Sequence, residues 1–221
     1  MRALYRTVWI VSLLAIVGMS CWFLTKPPSL PVVAPMVAYV SEDKSLAFQY
    51  PGNWKPQTAS SQAVSARVAF DPNSNTHFAV DTNLAGSLMG DIAKSGDAGL
   101  SALQGMPGMP AGAADKQKSP LEMLHEASLH AMAKNKTRYP DFEASASLPI
   151  QVGGVEALST DFAFKEGGVW GKRDMIGTYV TILTKEREVS VKATTSKALQ
   201  KTMKPIFEQM INSIHLEQTG G

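Results

Sequence analysis

Four histidines, one cysteine and a scatter of serines and acids are the groups that could do chemistry in this 221-residue chain. His125 and His130 fall in one helical stretch, but a spacing of five turns them about 140° apart, so they cannot share a metal as an i, i+4 pair could. His125 is expected at the surface. His77 and His215 stand alone on strand-like stretches. A nucleophile–His–Asp set can be written from Ser159, Asp161 and His77, yet no G-x-S-x-G elbow accompanies it. Asp161, Glu166 and Asp174 could gather for Ca²⁺, although no ligand loop resembles a calcium motif. Met89, Met106 and Met109 could offer thioethers to a soft metal such as Cu(I). Without neighbouring His or Cys they read instead as a flexible apolar loop that packs on a partner or simply wanders. The sequence therefore commits to no catalytic, cofactor or metal site, and its expectation is a non-catalytic role.

Charge narrows the classes further. Lys and Arg number 21 against 19 Asp and Glu, a formal +2. Arg2, Arg6 and Lys26 flank the first apolar run, and every acid lies beyond it. From Pro27 onward the balance is 18 basic to 19 acidic residues, or −1. No basic cluster marks a nucleic-acid face, so that class is set aside. Cys21, the only cysteine, sits within the apolar run and leaves the remainder without an internal disulfide.

Residues 7–25 carry no charge. As a helix they span roughly 28 Å, close to a hydrocarbon core of about 30 Å. Trp9 and Trp22 fall near the two ends, and the Arg2/Arg6 flank puts the N-terminus in the cytoplasm by the positive-inside bias. Three readings are open: an uncleaved signal anchor, which is preferred; a lipoprotein signal with Cys21 as the lipidated residue; or a cleaved signal peptide. All three export the rest of the chain, so the expected location is the outer or periplasmic face of a cell membrane.

The organisation then reads as an anchor over 1–26, a Pro-rich spacer over 27–39 and one α+β domain over 40–217. Residues 84–118, rich in Gly, Ala, Ser, Met and Pro, read as a long flexible surface loop. Strands are expected at Ser45–Tyr50, Ala66–Phe70 and His77–Asn83, with Trp54 folding back on the sheet after a Pro51-Gly52-Asn53 turn. A helix opens at Ser119-Pro120, where Ser119 and Glu122 form a capping box, and stops at Tyr139-Pro140. Strands come next at Phe142–Leu148, Val155–Lys165, Val169–Thr184 and Glu188–Thr194, joined by short turns that imply antiparallel pairing. A helix over Lys204–Ser213, with Pro205 in its first turn, lays Ile206, Phe207, Met210, Ile211 and Ile214 on the sheet, and Ile214–Leu216 closes an edge. Two helices thus sandwich a mainly antiparallel sheet.

Three stretches resemble the PsbP-like family, that of the extrinsic photosystem II subunit and its exported bacterial relatives. Leu46-Ala-Phe-Gln-Tyr-Pro-Gly-Asn-Trp54 is similar to the opening F-x-Y-P-x-x-W strand and turn. Leu148-Pro-Ile-Gln-Val-Gly-Gly154 is similar to the strand and glycine turn after the first helix. Pro205-Ile-Phe-Glu-Gln-Met-Ile-Asn-Ser-Ile214 is similar to the closing helix. The likeness covers roughly Val40 to Leu216, while 84–118 departs from it, and no metal site of the family carries over by motif. It implies a non-catalytic accessory or binding domain attached to a larger envelope assembly, with a protein partner and no cofactor.

Overall fold

The computed structural model describes residues 33–61, 65–83, 118–168, 171–185 and 187–216. Cys21, the span 7–25 and the loop methionines Met89, Met106 and Met109 lie outside them. Among the described residues no helix is long and apolar enough to cross a membrane.

Among the described residues the domain has two antiparallel sheets and two helices. The small sheet has the order β1(Met36–Val40), β2(Leu46–Pro51), β11(His215–Leu216). The large one runs β3(Gln57–Ser61), β4(Ser65–Asn73), β5(Thr76–Asn83), β10(Glu188–Ser196), β9(Gly171–Leu183), β8(Val155–Gly168), β6(Glu143–Ala144), with β7(Leu148–Val152) also pairing β8. This is the α+β arrangement that the alternating patterns demand.

Helix α1 (Pro120–Lys134) begins where its chemistry dictates. The Glu122 amide donates to Ser119 Oγ at 3.2 Å, and the Ser119 amide donates to Glu122 Oε2 at 2.7 Å, so both halves of the capping box are made. Its buried stripe is Leu121, His125 and Met132. Helix α2 (Gln200–Asn212) buries Met203, Phe207, Met210 and Ile211 at helical spacing, and each such side chain contributes roughly 1.5–3 kcal/mol on burial.

The helices cover opposite faces of the large sheet. Val80, Val180, Val189, Val191 and Ala193 point to one face and join Met203, Phe207, Leu46 and Phe48 in the main core. Phe162, Phe164, Met175 and Tyr179 point to the other, where Met132 and Tyr139 close a second, smaller core. The alternation is the period-two geometry of a sheet buried on both sides. Gly177 holds the centre of the second face. A Cβ there would meet the Ala193 carbonyl oxygen at 2.5 Å and the Phe162 ring at 2.6 Å, so the aromatic ring occupies the room a side chain would need.

Several expected boundaries shift. Met36–Val40 forms a strand, so the end of the stretch read as spacer is part of a sheet: Pro35 accepts from the Gly52 amide at 3.0 Å and β1 pairs all along β2. Gln57–Ser61 adds an edge strand whose polar sequence gave no alternation to read. The expected single strand Phe142–Leu148 is instead two, β6 and β7, both on β8. Helix α2 begins four residues early, after a 3-10 turn at Lys197–Leu199, so Pro205 lies inside it and not in its first turn. Pro205 is exposed, and the hydrogen bond it cannot donate is lost on the solvent side, where water can satisfy the Lys201 carbonyl.

Candidate functional site

His125 is the clearest correction. It is fully buried between α1 and the sheet and not at the surface. Nε2 lies 2.8 Å from the Thr160 hydroxyl and Nδ1 2.9 Å from that of Thr181, and Thr160 passes its own proton to Ser147 Oγ at 2.8 Å. Burial pushes the imidazole below its ordinary pKa, with Glu126 opposing weakly. Both ring nitrogens are satisfied, so the group is a structural one. His130, five positions on, is exposed, and the two do not meet.

The written triad is not assembled. Along the ladder His77, Thr194, Gly177 and Phe162 stand level, placing His77 on the α1 face. Ser159 is opposite Val180 and Val191, on the α2 face. Three strand spacings, about 14 Å, and the sheet itself separate them. The calcium set also disperses. Asp161 and Glu166 are five positions apart on β8, on opposite faces, and Asp174 pairs with Lys165, four residues along from Asp161. Among the described residues no three His, Cys, Asp or Glu side chains are grouped to hold a metal. His215 is exposed on β11.

Among the described residues clefts of about 440, 330 and 270 Å³ open on the sheet, and the first and last of them, one on each face, gather the side chains of interest. The larger, about 440 Å³, runs between α2 and the β7–β8 edge. Leu148, Ile150, Ile176 and Val180 meet Phe207 and Ile211 across it, and Leu148 is 63% exposed. At its lip Thr178 donates to Asp161 Oδ1 at 2.6 Å, and Lys204 reaches Asp161 Oδ2 at 3.6 Å. Part of the written triad thus sits on this groove as a polar rim, with no histidine among the described residues that line it. An apolar trough with a few polar groups at its edge is the form of a binding site.

The second cleft, about 270 Å³, lies beyond the end of α1 on the opposite face. Its floor is His77 and Thr194, direct cross-strand neighbours. His77 Nδ1 is hydrogen-bonded to Asp71 across the β4–β5 turn, and Nε2 is buried without a partner. Lys192 donates to the Tyr139 hydroxyl at 2.9 Å. Lys192 Nζ and the Arg138 guanidinium lie 5.6 and 5.8 Å from the Tyr139 ring centroid. Sequence reasoning missed this group because its members come from four separate segments. One signal was available: strands flanking the Asp71–Asn75 turn as a hairpin bring Asp71 level with His77.

No protein-family model matches the chain, and no curated protein matches it in sequence. Solved structures do align with it. The chain is similar to cyanobacterial PsbP from Synechocystis sp. PCC 6803 at 11% identity and a TM-score of 0.51, over 87% of this chain and 99% of that one. It is also similar to the Ran-binding protein Mog1p of Saccharomyces cerevisiae (9% identity, TM-score 0.47, 83% and 96% of the two chains). LpqN, involved in cell envelope biogenesis in Mycobacterium tuberculosis, aligns at 12% identity and a TM-score of 0.42, over 83% and 91%. At these identities the likeness to PsbP establishes the fold, mainly antiparallel sheet with two helices, and leaves function to the site.

Proposed function

We propose that the chain is a non-catalytic accessory domain, tethered at the outer face of a cell membrane, which docks another envelope protein in the groove between α2 and the β7–β8 edge. The observation that carries this reading is the groove: an open apolar trough with Leu148 at its mouth and the Asp161–Lys204 pair at its rim. An exposed Leu beside such a trough stabilises nothing in the domain, whereas a partner side chain seated there removes apolar surface from water. The chargeless span over residues 7–25 supports the tether, and a PsbP-like fold supports an accessory role.

Site-specific photocrosslinking in intact cells tests it. A photoreactive residue at Leu148 or Asn212 is expected to give a discrete adduct with one exported protein, and one at His130, on α1 across the sheet, to give none. Adducts that do not depend on position, or none from the groove, count against the docking. A tag fused after Gly221 and reachable only from the cytosol counts against the location.

A further inference from the structure

We infer that the cleft on the α1 face is a binding site for a phosphate or phosphomonoester group. Charge accounting leads there. Asp71 is engaged by His77 Nδ1, and Glu166, at the margin, is held by Arg173 at 2.8 Å. Among the described residues, Arg138 and Lys192 are in no ion pair, yet both are brought to the same aromatic ring beside this cleft. Lys192 is half-buried. An ammonium at a cleft with no ion-pair partner among the described residues is a ready donor to an anion. His77 Nε2 adds a third nitrogen without a protein partner, and with Nδ1 turned to Asp71 it is the ring atom left for a ligand. The Tyr139 hydroxyl accepts from Lys192 and keeps its own proton to donate.

A metal ion suits the same residues less well. The carboxylate is occupied, and two fixed positive charges oppose a cation. Guanidinium, ammonium, imidazole and phenol converging from different elements suit the several oxygens of a tetrahedral oxyanion, with Arg able to bind two at once. The site lies across the sheet from the proposed docking groove, and either reading can fail without the other.

The test is an NMR titration of the full-length chain in detergent, following the His77 ring protons, which His77→Gln assigns among the four histidines. Inorganic phosphate is expected to shift them saturably, while chloride at matched ionic strength leaves them unmoved. Lys192→Met, which keeps the aliphatic stem, and Arg138→Gln, at an exposed position, are each expected to raise the Kd for phosphate at least tenfold with cooperative melting preserved. Short-chain phosphatidic acid and glycerol 3-phosphate are titrated in parallel: tighter binding of the first identifies a lipid headgroup as the source, equal binding a soluble ester. No saturable shift with any of the three, or shifts unchanged in both variants, overturns the proposal.

Discussion

The imidazole of His125 is clamped to Thr160, with 2.8 Å between Nε2 and the hydroxyl, at the junction of α1 with the sheet. Thr181 holds the other nitrogen at 2.9 Å, and all three side chains are buried. Because burial lowers the folded-state pKa of His125, the unfolded chain binds the extra proton first as pH falls. Stability from this group is therefore fully present above the unfolded value of about 6.5 and lost as pH drops through the folded one. Chemical denaturation between about pH 7.5 and pH 5.5 is expected to show falling stability in the wild type and a flatter profile in His125→Gln. That variant should also lose roughly 1–3 kcal/mol at neutral pH by leaving buried hydroxyls unpaired.

Glu188 gives the opposite slope. Desolvation raises its carboxyl above the ordinary range, so the folded chain holds the proton more tightly than the unfolded one. Its contribution is present below the unfolded pKa and is lost as pH rises through the folded pKa. Glu188→Gln, which fixes the neutral form, is expected to raise Tm at pH 8 and to change it little at pH 4. Equal shifts at both values would show that packing, not ionisation, governs the position.

Glycines 177 and 153 should be intolerant of a methyl group for different reasons. At Gly177 the backbone is unstrained but the Cβ would sit 2.5 Å from the Ala193 carbonyl oxygen and 2.6 Å from the Phe162 ring. At Gly153 φ is +57°, and the Cβ would lie 2.7 Å from the Ile214 carbonyl oxygen. Alanine at either is expected to cost roughly 2–4 kcal/mol, measured by urea denaturation. Gly154, at φ +79° with nothing within 4 Å of its Cβ, should lose only about 1 kcal/mol through backbone strain.

The architecture was legible wherever local chemistry and tertiary context agreed. Ser119 and Glu122 announce the start of α1, and Phe48, Phe78 and Val80 fall on the buried face that their alternation assigns. Where the two disagree, sequence reasoning erred. A histidine in a helix carries no mark of the threonine pair awaiting it on β8 and β9, so His125 read as exposed. Met36–Val40 comes after a proline-rich stretch, and only pairing to β2 makes it a strand. Pro205 signals a helix start, and the Lys197–Leu199 turn before it overrides that signal. The clefts were less legible still, since Arg138, Lys192 and His77 come together only through the strand order.

Removing the cap hydroxyl in Ser119→Ala is expected to destabilise the domain by about 1 kcal/mol. The Glu122 amide loses its acceptor, and Glu122 is left bonding the residue 119 amide alone. Ser119→Asp, which restores an acceptor and adds favourable charge at the helix N-terminus, should recover most of the loss. Thermal melts of the three proteins at matched pH decide this. A loss in Ser119→Ala that Asp does not recover would assign the effect to something other than capping.

Leu148→Asp separates docking from folding. Leu148 is exposed and at the end of β7, so the substitution should change stability by no more than about 0.5 kcal/mol. The carboxylate, however, stands at the mouth of the apolar groove near Asp161. A partner side chain entering the trough would have to desolvate it, and truncated apolar contact adds to that cost; such central positions are where interface energy concentrates. Crosslinking from Asn212 on the opposite lip is therefore expected to fall at least tenfold in Leu148→Asp, with the same protein level and melting curve. A change of Leu148 to Met, which preserves apolar volume, should leave the adduct in place. If Asp and Met behave alike, the partner does not use the groove, and the outer surfaces of the two sheets become the place to look.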